Sequence, residues 1–320
     1  MEKNRKLLSV IVPCYNEEKA LPDFHSNLME QMAKLDCKYD YEIIYINDGS
    51  ADGTHQIITA FAEQNDAVKY LGFSRNFGKE SAMLAGMEYM SGDMAAIIDA
   101  DLQHPPELIH QMLEKYEEGY DQVIAKRDRQ GEPLKSRFCA RAYYKLVNKM
   151  IDVKLTDGAG DFRLLSRAAV DAVLSMKEAN RFSKGLFSWV GFNQTYIEYE
   201  NRRRAEDSSK WTFKGLLKYA VDGIVSFNIQ PLRVCVYMGG ALLLLSMTYL
   251  IYLFINILMN GVDVPGYFTT IALISVIGGV QLISLGIIGE YVGRIYAEVK
   301  NRPAYIVAST NIREREEHER

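Results

Sequence analysis

Met94-Ala95-Ala96-Ile97-Ile98-Asp99-Ala100-Asp101-Leu102-Gln103-His104-Pro105-Pro106 is the stretch on which the fold turns. Five apolar residues run straight into two carboxylates at i and i+2. A short unbroken apolar run suits a strand buried on both faces. Carboxylates placed where such a strand meets a loop can hold a hard divalent cation against a diphosphate. Asp-x-Asp is common, and the plainer reading is a strand-ending turn whose aspartates only cap backbone groups. The rest of the chain decides between the two.

Upstream, apolar runs at 8–12, 41–46 and 68–73 alternate with helical patterns at 18–35, 52–63 and 79–90. Downstream, a helical pattern at 105–117 leads to a short fifth strand at 122–125. This alternation predicts an α/β domain with a mostly parallel sheet covered on both faces. Ligands of such sheets bind beyond the carboxyl ends of the strands. Four polar clusters fall there: Pro13-Cys14-Tyr15-Asn16-Glu17-Glu18, Asn47-Asp48-Gly49-Ser50, Ser74-Arg75-Asn76-Phe77-Gly78-Lys79, and Asp99-Ala100-Asp101. Their convergence on one edge favours a site over four separate turns. Neither Gly-x-Gly-x-x-Gly nor Gly-x-x-x-x-Gly-Lys-Ser/Thr occurs, so no dinucleotide fold or phosphate-loop NTPase is indicated.

The chain has 320 residues and a net charge of −4, which argues against a nucleic-acid binder with a broad basic face. Its four cysteines form no Cys-x-x-Cys pair, as in a reducing compartment. No signal peptide is expected at the N-terminus, because Pro13 and the acidic residues after it interrupt the first apolar run. The last third differs in character. No charged side chain lies between Arg233 and Asp263, or between Asp263 and Glu290. Each gap exceeds the roughly 20 residues that cross a bilayer as helix, and spans are expected near 234–258 and 267–289. Lys and Arg flank the pair while the connector has none, so both ends are expected in the cytoplasm at the inner membrane. Gly278, Gly279 and Gly286 suit close helix packing and permit a homo-oligomer. Residues 211–228 read as an amphipathic helix on the membrane surface, ended by Pro231. The expected organisation is a catalytic domain at 1–210, this helix at 211–230, a hairpin anchor at 231–290 and a cytoplasmic tail at 291–320.

Together these motifs resemble family 2 glycosyltransferases. They are closest to the polyprenyl-phosphate sugar transferases, a branch that includes dolichol-phosphate mannose synthase and the bactoprenol glucosyltransferases. The resemblance extends through Gly160-Asp161-Phe162-Arg163-Leu164, Ser209-Lys210-Trp211 and Gly289-Glu290-Tyr291-Val292-Gly293-Arg294, covering nearly the whole chain. It departs at Asp207, where the family usually has glycine. It implies a GT-A fold that binds a nucleotide sugar. Pro13, Tyr15 and Glu17 match positions around base and ribose, and Asp48 the position that reads the base. Asp99, Ala100, Asp101 and Gln103 match those around the diphosphate and a Mg²⁺ or Mn²⁺ ion, with Asp99, Asp101 and Gln103 as its ligands. Lys79, Arg127, Arg204 and Lys210 join the donor side, the last two within a basic cluster able to close over the diphosphates. Arg137, Arg141, Lys145 and Lys149 recur every four residues as a basic stripe suited to anionic headgroups or an acceptor phosphate. Arg163 is placed with the stripe's Arg137 and Arg141 on the lipid phosphate. Asp161 is the acidic residue expected nearest the reacting centre, as base or aligner, with Asp101 as the second catalytic carboxylate. His104 is expected to be structural.

The reading is inverting transfer of a hexose, glucose foremost, from a UDP-sugar to undecaprenyl phosphate in the bilayer, with GDP donors left open. Two alternatives stand beside it. A processive polysaccharide synthase usually carries Gln-x-x-Arg-Trp and more spans, and this chain has neither. An inactive membrane scaffold would not need Asp99, Asp101, Gln103 and Asp161 intact.

Overall fold

The computed structural model describes residues 5–35, 38–128, 156, 158–178, 181–200, 230–260 and 266–312. The basic stripe with Arg137 and Arg141, the cluster with Arg204, Asp207 and Lys210, the surface helix expected over 211–228 and the 313–320 tail lie outside them.

Strands β1 (Lys6–Cys14), β2 (Tyr39–Asn47), β3 (Val68–Phe73) and β4 (Met94–Ile97) alternate with helices α1 (Leu21–Lys34), α2 (Thr54–Gln64), α3 (Lys79–Tyr89) and α4 (Leu108–Glu117). After them come β5 (Gln122–Asp128), β6 (Ala159–Ser166), α5 (Arg167–Ser175), α6 (Ser183–Trp189) and β7 (Gln194–Glu200). Two long helices, α7 (Gln230–Asn260) and α8 (Tyr267–Val299), precede a last strand, β8 (Val307–Thr310). Among the described residues, eight strands form one sheet in the order β7-β5-β6-β4-β1-β2-β3-β8. Pairing is parallel along β4-β1-β2-β3 and between β5 and β7. β6 runs antiparallel to both β4 and β5, and β8 antiparallel to β3. The sheet is mostly parallel, as the alternation predicts, with antiparallel strands in two places.

Side chains on a strand point alternately to opposite faces. In β1, Leu8, Val10 and Val12 join one apolar cluster with Phe24 and Leu28 of α1, Ile58 of α2 and Met112 of α4. Ile11 joins the other, with Met83 and Ala85 of α3 and Val170 of α5. Each of the larger of these buried side chains contributes roughly 1.5–3 kcal/mol. α3 lies so close to β1 that a Cβ at Gly86 would fall 2.2 Å from the Ile11 side chain. Register then fixes where the loops emerge. β1 and β2 pair from Lys6↔Tyr39 to Cys14↔Asn47, and β1 and β4 from Leu8↔Met94 to Ile11↔Ile97. The polar loops that follow these strands therefore leave side by side.

α7 has 31 residues and α8 has 33. Each carries a window of membrane-spanning length and apolarity, Tyr237–Asn256 and Val276–Val299, neither buried against the rest of the protein. Pro231 occupies the first turn of α7, where its missing N–H leaves no hydrogen bond unmade. α8 continues past the expected end at 289 through the Glu290–Arg294 pair, one helical turn apart at 3.2 Å. At 1.5 Å per residue it is about 50 Å long, more than the roughly 30 Å of a hydrocarbon core.

The chain then turns back to the domain. Ser74 N–H donates to Ile306 O at 3.0 Å, and Ser81 Oγ to Ala304 O at 3.0 Å. The Tyr305 ring stacks on Phe73 at 5.0 Å, and its hydroxyl donates to Glu88. β8 covers the free edge of β3, which would otherwise expose unpaired amides.

Candidate active site

A cleft of about 310 Å³ opens beyond the carboxyl ends of β1, β2 and β4. It gathers Pro13, Tyr15, Glu17, Asp48, Lys79, Asp99, Ala100 and Asp101, all singled out in the sequence. Tyr15 is about half exposed there. The β1 and β2 loops are held together: Asp48 N–H donates to Cys14 O at 2.9 Å, and Glu17 N–H to Thr54 Oγ1 at 2.9 Å.

Asp48 is buried, and its carboxylate faces the next loop. Oδ1 accepts from Phe77 N–H at 2.7 Å and Oδ2 from Gly78 N–H at 2.9 Å. Burial pushes its pKa up, against these two amides and Arg75, which favour the ionised form. Both oxygens are thus engaged in holding the loop that leads into α3. The base-reading role expected for Asp48 has to be shared with this one. Gly49 lets the loop approach. Its φ is +64°, and a Cβ would meet the Arg75 carbonyl carbon at 2.3 Å.

Lys79 opens α3, and its ammonium lies between two carboxylates. It is 2.7 Å from Asp99 Oδ1, 2.8 Å from Asp99 Oδ2 and 2.6 Å from Asp161 Oδ2. Burial would lower the Lys79 pKa, but Asp161 and Asp99 outweigh it and hold the ammonium above its ordinary value. Burial would likewise raise Asp161. Lys79, Lys184 and Arg163 outweigh that and keep its carboxyl well below the usual range. Asp161 reaches this edge from β6 because β6 is antiparallel, so its start lies where β4 ends.

Asp101 Oδ1 accepts from Gln103 N–H at 3.1 Å, across Leu102 with φ +59°. A left-handed leucine is uncommon and marks a turn held by its surroundings. His104 shares a 2.6 Å hydrogen bond with Tyr199 and sits 3.7 Å from Asp99. Burial lowers the His104 pKa despite the nearby carboxylates and pushes Tyr199 up to about 12. The ring packs beside Phe162, with 5.5 Å between centroids.

Gln103 and Arg127 do not line the cleft. Arg127, near the end of β5, donates its backbone N–H to Gly158 O at 3.1 Å. Arg163, expected on the lipid phosphate, is 3% exposed. Its guanidinium donates to Gly160 O at 2.7 Å and lies over the Phe187 ring at 4.0 Å. That buried cation braces the turn carrying Asp161, so its expected place on the lipid phosphate does not match its burial. Two further partners went unread in the sequence. Glu80, next to Lys79, accepts from Ser183 N–H at 3.0 Å and from its hydroxyl, tying α3 to α6. Lys184 adds positive charge near Asp161. No local pattern links residues so far apart.

Among the described residues, no group of three or more His, Cys, Asp or Glu side chains is arranged to hold a metal ion. The donors at the strand end are nevertheless oxygens, the ligands a hard divalent cation takes. Asp99 and Asp101 are the residues that would hold such an ion.

An α/β domain of this topology, with paired carboxylates at the β4 edge, has the architecture of a GT-A domain. Residues 9–174, over half the chain, match the model of glycosyl transferase family 2, and the chain belongs to that family. Residues 230–295 match the GtrB C-terminal hairpin. CsbB of Bacillus subtilis (strain 168), provisionally named a glycosyltransferase, is 52% identical over 96% of this chain and 92% of its own. A prophage-derived bactoprenol glucosyl transferase of Shigella flexneri is 43% identical over 95% of this chain and 98% of its own. Among solved structures, mannosyl-3-phosphoglycerate synthase of Rubrobacter xylanophilus is a looser likeness, at 17% identity and TM-score 0.45, covering 68% of this chain and 71% of its own.

Proposed function

We propose that the protein transfers glucose from a UDP-sugar to a polyprenyl phosphate at the cytoplasmic face of the membrane. The observation that carries this reading is the bridging of Asp99 and Asp161 by Lys79 at a strand-edge cleft, in a chain that also holds two long apolar helices. The relative named a bactoprenol glucosyl transferase, matched along almost its full length, supports the acceptor and the sugar.

Tyr15, exposed at the rim, offers a ring to the base, while Pro13 and Glu17 border the ribose. Asp99, Asp101 and Gln103 would hold Mg²⁺ or Mn²⁺ against the diphosphate, the Gln103 N–H already donating to Asp101. The bound ion would offset charge on the departing nucleoside diphosphate. Asp161 is the residue for the acceptor phosphate as it approaches the sugar, with Lys79 beside it on the donor side. A phosphate monoester is largely dianionic at pH 7, its second pKa being near 6. The nucleophile therefore needs alignment more than deprotonation. Asp161, kept ionised by neighbouring cations, suits an aligner better than a base. Arg137 and Arg141 remain the cations proposed for the lipid phosphate, and Arg127, Arg204 and Lys210 those for the donor. One displacement at C1 inverts the anomeric centre, giving a β-linked product from an α-linked donor.

The test is to incubate the full chain in nanodiscs with Mn²⁺, undecaprenyl phosphate and a panel of nucleotide sugars, then weigh the lipid product. One added hexose from UDP-glucose is expected, and chelation should abolish it. Undiminished product from Asp101→Ala at saturating Mn²⁺ would overturn the assignment. A polymeric product would favour a processive synthase.

A further inference from the structure

We propose that Lys79 is a tethered counter-cation that occupies the Asp99–Asp161 gap until a nucleoside diphosphate arrives, so that metal and nucleotide must enter together. This rests on the reading of Asp99 and Asp101 as the metal–diphosphate site and adds how that site is kept before substrate binds.

The ammonium touches both oxygens of Asp99 and one of Asp161, at 2.6–2.8 Å. Three contacts match the three protons an ammonium can donate. The two carboxylates are drawn together across it, each within hydrogen-bond distance of the same nitrogen. A divalent ion taking Asp99 as ligand would stand a few ångströms from this positive charge so long as Lys79 stays in place. The like-charge repulsion in a partly buried cleft opposes that strongly. Other charges facing the gap do not relieve it: Asp101 attracts an ion, whereas Lys184 and Arg163 add positive charge on the Asp161 side.

Lys79 is also placed to move. Its backbone is fixed, because Asp48 holds the Phe77 and Gly78 amides and Glu80 is tied to Ser183. Its side chain remains 40% exposed into the cleft. A lysine is a point charge on a flexible stem, able to swing from a carboxylate to a phosphate oxygen. The diphosphate brings negative charge for both cations. Lys79 turns onto it, Asp99 is released to the ion, and Asp161 is released to align the acceptor. The geometry thereby couples nucleotide and metal binding, and such coupling is reciprocal.

The experiment is a Mn²⁺ titration of the full chain in nanodiscs, read by the electron paramagnetic resonance of free Mn²⁺, with and without saturating UDP. The wild-type protein should bind Mn²⁺ weakly alone and much more tightly with UDP. Lys79→Met should bind Mn²⁺ without nucleotide on the order of tenfold more tightly than wild type, with a correspondingly smaller gain from UDP. Lys79→Arg, which keeps the charge, should stay weak without nucleotide. Lys79→Gln, which keeps hydrogen-bond donors but no charge, should shift in the same direction as Lys79→Met and serves if the methionine variant does not fold. Equal or weaker nucleotide-free Mn²⁺ binding by the neutral variants would overturn the proposal while leaving the site assignment standing. If the wild-type protein binds no Mn²⁺ even with UDP, the site assignment itself falls, and the proposal with it.

Discussion

Asp48 Oδ1 accepts the Phe77 amide proton at 2.7 Å, joining the loop after β2 to the loop that starts α3. Asp48→Ala would strand the Phe77 and Gly78 amides in a partly buried site, at roughly 1–3 kcal/mol each. Thermal unfolding should therefore shift down by several degrees. Activity should fall further than stability, because Lys79 loses its fixed start. Asp48→Asn keeps one acceptor but turns an NH₂ toward a donor, so it should lie between the two.

Asp161→Asn separates alignment from base catalysis. Lys79, Lys184 and Arg163 hold the carboxyl below its usual range, and an aligning carboxylate takes no proton during turnover. The rate should drop on the order of tenfold or more, while the shape of the pH–rate profile stays that of the wild type. Loss of an acidic limb from that profile would restore a base role.

Asn311 closes the edge of β3 with its side-chain amide, accepting from Tyr70 N–H at 2.8 Å and donating to Val68 O at 3.1 Å. Asn311→Ala should cost about 1–2 kcal/mol, seen as a lower denaturation midpoint. Removing residues 303–320 should cost more and promote aggregation, since it bares the β3 edge and uncovers Phe73. Light scattering on heating distinguishes the two variants.

His25 supplies a pH dependence away from the cleft. Its ring stacks on Phe61 at 3.8 Å and shares a 2.9 Å hydrogen bond with Tyr45. Burial lowers its pKa below the ordinary 6.5. The unfolded chain therefore binds the proton more readily, and stability rises with pH until the solution passes about 6.5. His25→Phe keeps the stack and should flatten this part of the stability–pH curve between pH 5 and 7. His104 and His110 titrate with the same sign and leave a residual slope.

The first four strands and the loops after them were legible because each leaves a local trace. Leu8–Val12 and Met94–Ile98 are apolar runs that end abruptly in polar residues. β7 left a trace that was passed over: Thr195, Ile197 and Tyr199 alternate with polar residues. β6 was seen only as a motif, since Asp161 and Arg163 break its apolar pattern. β8 could not be read, because Val-Ala-Ser-Thr has no strand signal of its own and forms only against β3. At the site, the sequence named Lys79, Asp99 and Asp161 but not their mutual contact. The burial of Arg163 was equally hidden, because it depends on Phe187 and Gly160 in three dimensions.

α8 ends at Val299 and β8 begins at Val307. Even fully extended, residues 300–306 span no more than about 25 Å. On the proposed function, a sheet leashed that closely to its apolar helices would meet carrier lipid by lateral diffusion in a plane, not through bulk liquid. Turnover in vesicles should then follow the mole fraction of carrier in the membrane, and adding inert phospholipid at constant total carrier should slow the enzyme by surface dilution.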